Sequence, residues 1–271
     1  MTEEAWLASH PYLEPVAEFE ARVGAAAAEV TIPRASMPRW DDYIGDFHDG
    51  VPLLDSSGAA VDLGPAERIV ALLVKKLASR PLPGKLAEES RALDAELHGD
   101  SDAARHPVAW LLDRESSSPT HAGLLHYLGW TALARYLGPV VGAFGSWRDE
   151  ERWLRNYCPT CGAPPAMAQL VGIDPGRLRL LSCGRCATRW RYRRTGCPFC
   201  QSQDDHRLAV LAIEGEGGLR IDYCEACLGY LKTYNGQGSE ALLLADWTSL
   251  HLDILARDRG LKRLAASLYD L

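Results

Sequence analysis

The sequence predicts an α+β multidomain chain: a mostly α-helical N-terminal domain, followed by two small tandem units with four cysteines each. Three observations carry that expectation. All eight cysteines fall into Cys-x-x-Cys pairs (Cys158/Cys161, Cys183/Cys186, Cys197/Cys200 and Cys224/Cys227), which is the ligand count of two tetrahedral metal sites. Upstream of them, apolar residues recur at helical spacing. The charge also changes sign near the first pair. Residues 1–152 hold 14 Lys/Arg against 24 Asp/Glu, a balance of −10, whereas residues 153–271 hold 15 against 12, a balance of +3.

Taken in order, Trp6 to about Val30 has Leu7, Val16, Phe19 and Val23 at roughly helical spacing and ends in an alanine-rich stretch, and Pro33 and Pro38 then break the pattern. Residues 40–64 carry Gly and Pro too often for a long helix and read as a wrapped connection with one or two short turns. Pro65 opens a clear helix striped by Ile69, Leu72, Leu73 and Leu77, and Pro81 with Pro83 stops it. A polar amphipathic helix follows from Lys85 to His98. Ser101 or Asp102 is the expected N-cap of the next helix, with Pro107 either in its first turns or restarting it. From His121 to Leu137 the chain is apolar nearly all round, as suits the middle of a helical bundle, and Gly138-Pro139 is expected to end it.

Length and composition bound the function. A chain of 271 residues with 24% charged residues can bury a real core and is not wholly disordered. Met1-Thr-Glu-Glu-Ala-Trp6 lacks the basic and apolar regions of a signal peptide. The most apolar window, about Gly123 to Gly145, is interrupted by His126, Arg135 and Pro139, so a core helix accounts for it better than a membrane span. The expectation is a soluble, cytoplasmic protein without a membrane partner, where paired thiols signify metal more often than disulfide. His98, His106, His121 and His126 read as ordinary surface or core histidines. The pairs Asp41/Asp42 and Glu88/Glu89 read as solvated faces. There is neither a phosphate-binding glycine loop nor a nucleophile elbow, so no catalytic residue is assigned.

The cysteine pairs carry the chemistry. The first set, Cys158, Cys161, Cys183 and Cys186, encloses 21 residues between its pairs; the second, Cys197, Cys200, Cys224 and Cys227, encloses 23. Near-equal spacing and the repeated Cys-Pro-x-Cys of Cys158 and Cys197 predict two units of one kind, each closing a tetrathiolate site. An interleaved pairing, first pair with third and second with fourth, fits the repeat less well. Gly162 and Gly184 suit the tight turns that aim backbone N–H groups at sulfur. Units of about 30 residues bury too little apolar surface to fold alone. A tetrathiolate site supplies on the order of 10–16 kcal/mol of apparent binding free energy, which becomes folding free energy. Zinc and a single rubredoxin-type iron suit four sulfurs about equally. Thioredoxin-like redox pairs fit poorly, because no pair opens a helix after a strand.

Arg177, Arg179, Arg185, Arg189, Arg191, Arg193 and Arg194 lie within 18 residues. In Arg189-Trp-Arg-Tyr-Arg193, strand alternation places arginines on one face and Trp190 with Tyr192 on the other. Such a stripe can bind single-stranded nucleic acid. It can equally balance thiolate charge, since two divalent ions on eight thiolates turn the region's +3 into −1. In a chain of net charge −7, compensation or a protein-binding face is the favoured reading over nucleic acid.

Five motifs resemble the formate dehydrogenase accessory proteins, the FdhE family. They are Cys158-Pro-x-Cys-Gly162, Leu180-Leu-Ser-Cys-x-x-Cys-x-Thr-x-Trp190, Arg193-x-x-x-Cys-x-x-Cys200, Tyr223-Cys-x-x-Cys-x-x-Tyr-Leu-Lys232 and Ala245-Asp-x-x-Ser-Leu-x-Leu-Asp253. The resemblance spans about 100 residues and implies a helical domain (1–152), two rubredoxin-like units (153–192 and 193–236) and a C-terminal helical segment (237–271). It supports the eight cysteines as ligands of two metal ions and tilts the choice toward iron. It further implies a cytoplasmic assembly factor, not itself an enzyme, that contacts the catalytic subunit of formate dehydrogenase during maturation, with redox control a possible part of the role. A nucleic-acid-binding zinc-ribbon protein is the alternative, and a thiol oxidoreductase the third reading.

Overall fold

The computed structural model describes residues 2–99, 106–115, 119–173 and 175–269; the N-cap expected at Ser101 or Asp102 lies outside them. Among the described residues the helices are α1 (Glu3–Ser9), α2 (Glu14–Ala28), α3 (Trp40–Asp49), α4 (Gly64–Ala78), α5 (Gly84–Leu97), α6 (Pro107–Leu111), α7 (Ala122–Trp147), α8 (Glu150–Trp153), α9 (Glu240–Leu243) and α10 (Leu250–Asp258). The strands are β1 (Met167–Val171), β2 (Leu178–Ser182), β3 (Arg189–Tyr192), β4 (Leu208–Ala212), β5 (Leu219–Cys224) and β6 (Tyr230–Tyr234). The expected succession, a helical N-terminal part and then a sheet region with two four-cysteine clusters, is what forms.

The chain divides into two compact units, and the division does not follow sequence order. One comprises Pro15–Pro38, Ala60–Ser146 and Leu268–Leu271; the other comprises Met1–Glu14, Arg39–Ala59 and Trp147–Ser267. In the helical unit, α4 begins with Pro65 in its first turn and buries Ile69, Val70, Leu73, Val74 and Leu77 along one face. Lys75 and Lys76 close its last turn, where positive charge complements the helix dipole. In α7, Leu125, Leu128, Trp130, Leu133, Leu137, Val140 and Phe144 are all buried, in keeping with its all-round apolar sequence.

Two local expectations are corrected. Helix α7 does not stop at Gly138-Pro139 but runs through Pro139 to Trp147. Pro139 is exposed, so its ring faces solvent, and burial of Val140 and Phe144 beyond it offsets an interior-proline cost of about 3 kcal/mol. Residues 40–49, expected to be connection, form the ten-residue α3. Tyr43 and Phe47, four apart, bury one face of it, and Gly50 at φ 85° ends it in the left-handed conformation.

The other unit is built on one six-stranded sheet of order β3-β2-β1-β6-β5-β4. Each half contributes an antiparallel meander, and β1 and β6 join the halves in parallel, Met167 opposite Lys232 and Gln169 opposite Tyr234. The order therefore runs third, second, first strand of one repeat, then third, second, first of the next. The repeats are related head to tail rather than by a two-fold axis. Central β6 is buried along its whole length, whereas edge strand β4 leaves Val210 54% exposed. Along β3, Trp190 and Tyr192 are buried and Arg189 and Arg191 are partly exposed, the predicted alternation.

Candidate metal centres

The cysteines lie on four turns of one design. In each, the N–H of the first cysteine donates to the carbonyl five residues on: Cys158 to Ala163 (2.8 Å), and Cys183 to Thr188, Cys197 to Ser202 and Cys224 to Gly229 (each 2.9 Å). The residue after each second cysteine is left-handed: Gly162 (φ 74°), Ala187 (φ 59°), Gln201 (φ 59°) and Leu228 (φ 61°). Backbone N–H groups of Thr160, Arg185, Phe199 and Gly229 then approach the sulfurs of Cys158, Cys183, Cys197 and Cys227 at 3.4 Å each. Gly162 thus does the job its position suggests. Gly184 has a different one: a Cβ there would meet the Ala266 carbonyl oxygen at 2.4 Å, so the glycine admits close passage of the C-terminal segment.

Only one of the four left-handed positions is glycine, and the others carry the cost of a Cβ in that conformation. Replacing exposed Gln201 by Gly is expected to raise stability by about 1 kcal/mol. Gly162→Ala, which also brings a Cβ to 3.3 Å from Pro52 Cγ, is expected to lower it by about as much. Thermal midpoints of the metal-loaded proteins measure both, and movement in the same direction would contradict the shared-turn reading.

The turns bring together Cys158, Cys161, Cys183 and Cys186 in one cluster and Cys197, Cys200, Cys224 and Cys227 in another, the sulfurs of each lying within 4.8 Å of one another. The interleaved pairing is not formed, and all eight cysteines are free. Across the first cluster Cys158–Cys186 and Cys161–Cys183 are 3.4 and 3.5 Å apart; across the second Cys197–Cys227 and Cys200–Cys224 are 3.7 and 3.8 Å apart. A tetrahedron with metal–sulfur bonds of about 2.3 Å has edges of about 3.8 Å, so both cages fit a tetrathiolate ion with little movement.

The electrostatics of the bare cages suit cation capture. Burial pushes the Cys158 thiol well up, and hydrogen bonding with Cys158 does the same for Cys161. Burial also works against ionising Cys186, yet hydrogen bonds from Cys158, Cys161 and Cys183 hold its thiol well below the usual range. In the second cluster burial raises Cys197 to about 12, while the Ser202 backbone lowers Cys200. With Cys158 and Cys161 held as thiols in the first cage and Cys197 in the second, a metal entering either cage must displace protons.

The arginine stripe is largely engaged with the protein. Arg179 is buried, donates to the Arg193 and Gly196 carbonyls and lies over the Tyr192 ring at 5.3 Å. Arg189 binds Glu240 Oε1 at 2.7 Å and Gln169 Oε1 at 3.1 Å. Arg191 pairs with Glu151, and Arg177 donates to the Asn235 carbonyl at 2.9 Å.

Two polar clusters were not assigned a role from sequence. Lys232 is 1% exposed, and its ammonium reaches Asp246 Oδ1 at 2.5 Å and Asp253 Oδ2 at 2.8 Å. Arg263 contacts the same two carboxylates at 2.7 and 2.8 Å, and Tyr230 donates to Asp253 Oδ1 at 2.7 Å. Tyr230, Lys232, Asp246 and Asp253 all belong to the quoted motifs. A lysine inside the apolar run of β6 was the signal that it needed buried acids. The second cluster, His10, Glu216 and His251, leaves no local trace, because His10 and Glu216 stand 206 positions apart.

Comparison with known proteins returns the same family at each level. Residues 157–194 match the model of the FdhE central domain. The FdhE homolog of Aquifex aeolicus is 31% identical over 133 residues, covering 47% of this chain and 47% of that protein. That of Pseudomonas putida is 40% identical over 154 residues, 51% and 48%. Protein FdhE of Salmonella paratyphi A is 32% identical over 139 residues, 49% and 44%. The matched stretch thus spans about half the length of these relatives. The crystal structure of FdhE from Pseudomonas aeruginosa superposes with a TM-score of 0.62 over 95% of this chain and 88% of that one, at 22% identity. The resemblance read from the cysteine motifs is therefore to FdhE proteins, in sequence through the cysteine-bearing half and in fold over nearly the whole chain.

Proposed function

We propose that this chain is an accessory factor in the maturation of formate dehydrogenase, holding two tetrathiolate metal ions and acting by binding rather than by making bonds. Cys158, Cys161, Cys183 and Cys186 hold one ion, and Cys197, Cys200, Cys224 and Cys227 the other. The ions are iron of the rubredoxin type or zinc, and they clamp the units 153–192 and 193–236. The observation that carries the reading is the pairing of two preformed thiolate cages with an FdhE-like fold. The chain works in the cytoplasm, where its partner is the catalytic subunit of formate dehydrogenase before export. Among the described residues no helix is long and apolar enough to cross a membrane. If the ions are iron, their oxidation state can regulate the encounter. The nucleic-acid alternative is weakened because Arg177, Arg179, Arg189 and Arg191 are spent on contacts within the protein.

The test is capture of a formate dehydrogenase catalytic subunit by the immobilised full chain, purified without air so that its metal content and colour are preserved. Retention that survives moderate salt is expected. Absence of retention from a metal-loaded chain would overturn the client assignment, and salt-labile retention of single-stranded nucleic acid instead would favour the alternative.

A further inference from the structure

Three residues remote in sequence meet in the sheet-bearing unit. His10 sits at the end of α1, Glu216 in the loop between β4 and β5, and His251 in the first turn of α10. Nε2 of His10 and Nε2 of His251 each lie 2.8 Å from the same oxygen, Oε1 of Glu216. His10 and Glu216 are 7% and 8% exposed. Trp6 stacks on the His10 ring at 3.9 Å, and its indole N–H is anchored to the Thr248 carbonyl at 3.1 Å. Tyr12 stands edge-on to both imidazoles, at 5.8 and 5.6 Å.

Proton accounting makes this more than a hydrogen-bonded cluster. Nδ1 of His10 lies 3.0 Å from the Trp6 carbonyl, which only accepts, so the proton of a neutral ring sits on Nδ1. Nε2 then presents a lone pair to a carboxylate oxygen at 2.8 Å, an arrangement that repels unless a cation lies between them. The cation is either a second proton, making a buried imidazolium, or a metal ion. Anchoring one ring nitrogen on a backbone carbonyl while the other stays free is the habit of metal-binding histidines. Oε2 of Glu216 is also buried with no hydrogen-bond partner among the described residues, leaving it free to coordinate. A tetrahedral ion with bonds of about 2.1 Å separates its ligand atoms by about 3.4 Å, about 0.6 Å beyond the present 2.8 Å contacts, so loading requires the Glu216 carboxylate to draw back from the two rings by that much.

We propose that His10 Nε2, His251 Nε2 and the Glu216 carboxylate form a third metal site, distinct from the cysteine cages, that takes a divalent ion of the zinc class. Two imidazoles and a carboxylate are a ligand set for zinc, cobalt or ferrous iron and are harder than four thiolates, so this site and the cages select different ions when several compete. Three protein ligands leave a fourth position for water. The ion clips α1, the β4–β5 loop and α10 together, closing a loop of most of the chain.

The test uses the full chain with its cysteine cages already filled. After incubation with Zn2+ and desalting, wild-type protein is expected to retain an additional equivalent of zinc that Glu216→Gln and His251→Gln lack, the cage metal being equal in all three. With Co2+, wild type is expected to gain weak ligand-field absorption of a nitrogen–oxygen site without new sulfur-to-metal charge transfer. The cobalt spectrum needs no variant, so it decides even if the substitutions impair folding. Lack of the extra zinc and of the cobalt bands in wild type would leave an imidazolium–carboxylate cluster and overturn the proposal. Either result is independent of whether the chain captures a formate dehydrogenase subunit.

Discussion

Cys158→Ser is expected to release the metal from the first cage and unfold the sheet-bearing unit, not merely weaken it. A hydroxyl is a poor substitute for a thiolate, and Cys158 is fully buried where no outside ligand can replace it. A tetrathiolate site contributes on the order of 10–16 kcal/mol, against a net stability of about 5–15 kcal/mol for a whole domain. The β2–β3 turn and the entry to β1 are both held by that cage. The segment at residues 53–54 also depends on it, because Leu53 and Leu54 donate to the carbonyls of Pro159 and Thr160 at 2.8 and 2.9 Å. Elemental analysis together with near-ultraviolet circular dichroism measures the effect. A Cys158→Ser protein that keeps both ions and its thermal midpoint would show that Cys158 is not a required ligand. The second cage is more open, with Cys200 exposed and Cys227 half-buried. A chelator is therefore expected to empty it first, and Cys200→Ser to cost one ion while the first is retained.

The cages were legible in the sequence because their chemistry is local: four residues fix a turn, and two turns at equal spacing fix a ligand set. The stripe of α4 was legible for the same reason at Ile69, Leu73 and Leu77, but not at Leu72, which is 45% exposed while Val70 and Val74 are buried in its place. What escaped depended on partners distant in the chain. Nothing in the strand sequences specified that β1 and β6 would pair in parallel and fuse two ribbons into one sheet, since both are simply apolar enough to be central. Pro139 looked like a stop because the rule is local, whereas the burial of Val140 and Phe144 that overrides it is tertiary. The helix α3 was hidden by Gly45 inside it and by Gly50, Pro52, Gly58 and Gly64 beyond its end, whereas burial of Tyr43 and Phe47 carries the helix through Gly45. In the tail, Tyr230, Lys232, Asp246 and Asp253 were visible as a pattern, but the charge-balanced quartet that Lys232, Asp246 and Asp253 form with Arg263, with Tyr230 donating to it, required coordinates.

That quartet yields the second large effect. Lys232→Met is expected to destabilise the unit by about 3–5 kcal/mol, because Asp246 and Asp253 would keep two buried negative charges with Arg263 as the cation still facing both. Methionine nearly preserves the volume of the lysine stem, so lost packing accounts for little of that figure. The charge argument has its own control. In Lys232→Met/Asp246→Asn the cluster is again neutral, and a substantial part of the loss should return; a double variant no more stable than the single one would show that electrostatics is not the cause. Acid titration supplies a second reading. Burial opposes ionisation of Asp246, but Lys232 and Arg263 hold its carboxyl below the usual range. Its contribution is therefore present above the ordinary carboxylate range and lost as the pH falls through the depressed value. Removing Lys232 takes away one of the two cations that depress it, so the acid-induced loss of stability in Lys232→Met is expected to begin at higher pH than in wild type. Denaturant titrations at stepped pH measure the shift, and an unchanged acid limb would mean that Arg263 alone sets the ionisation of Asp246.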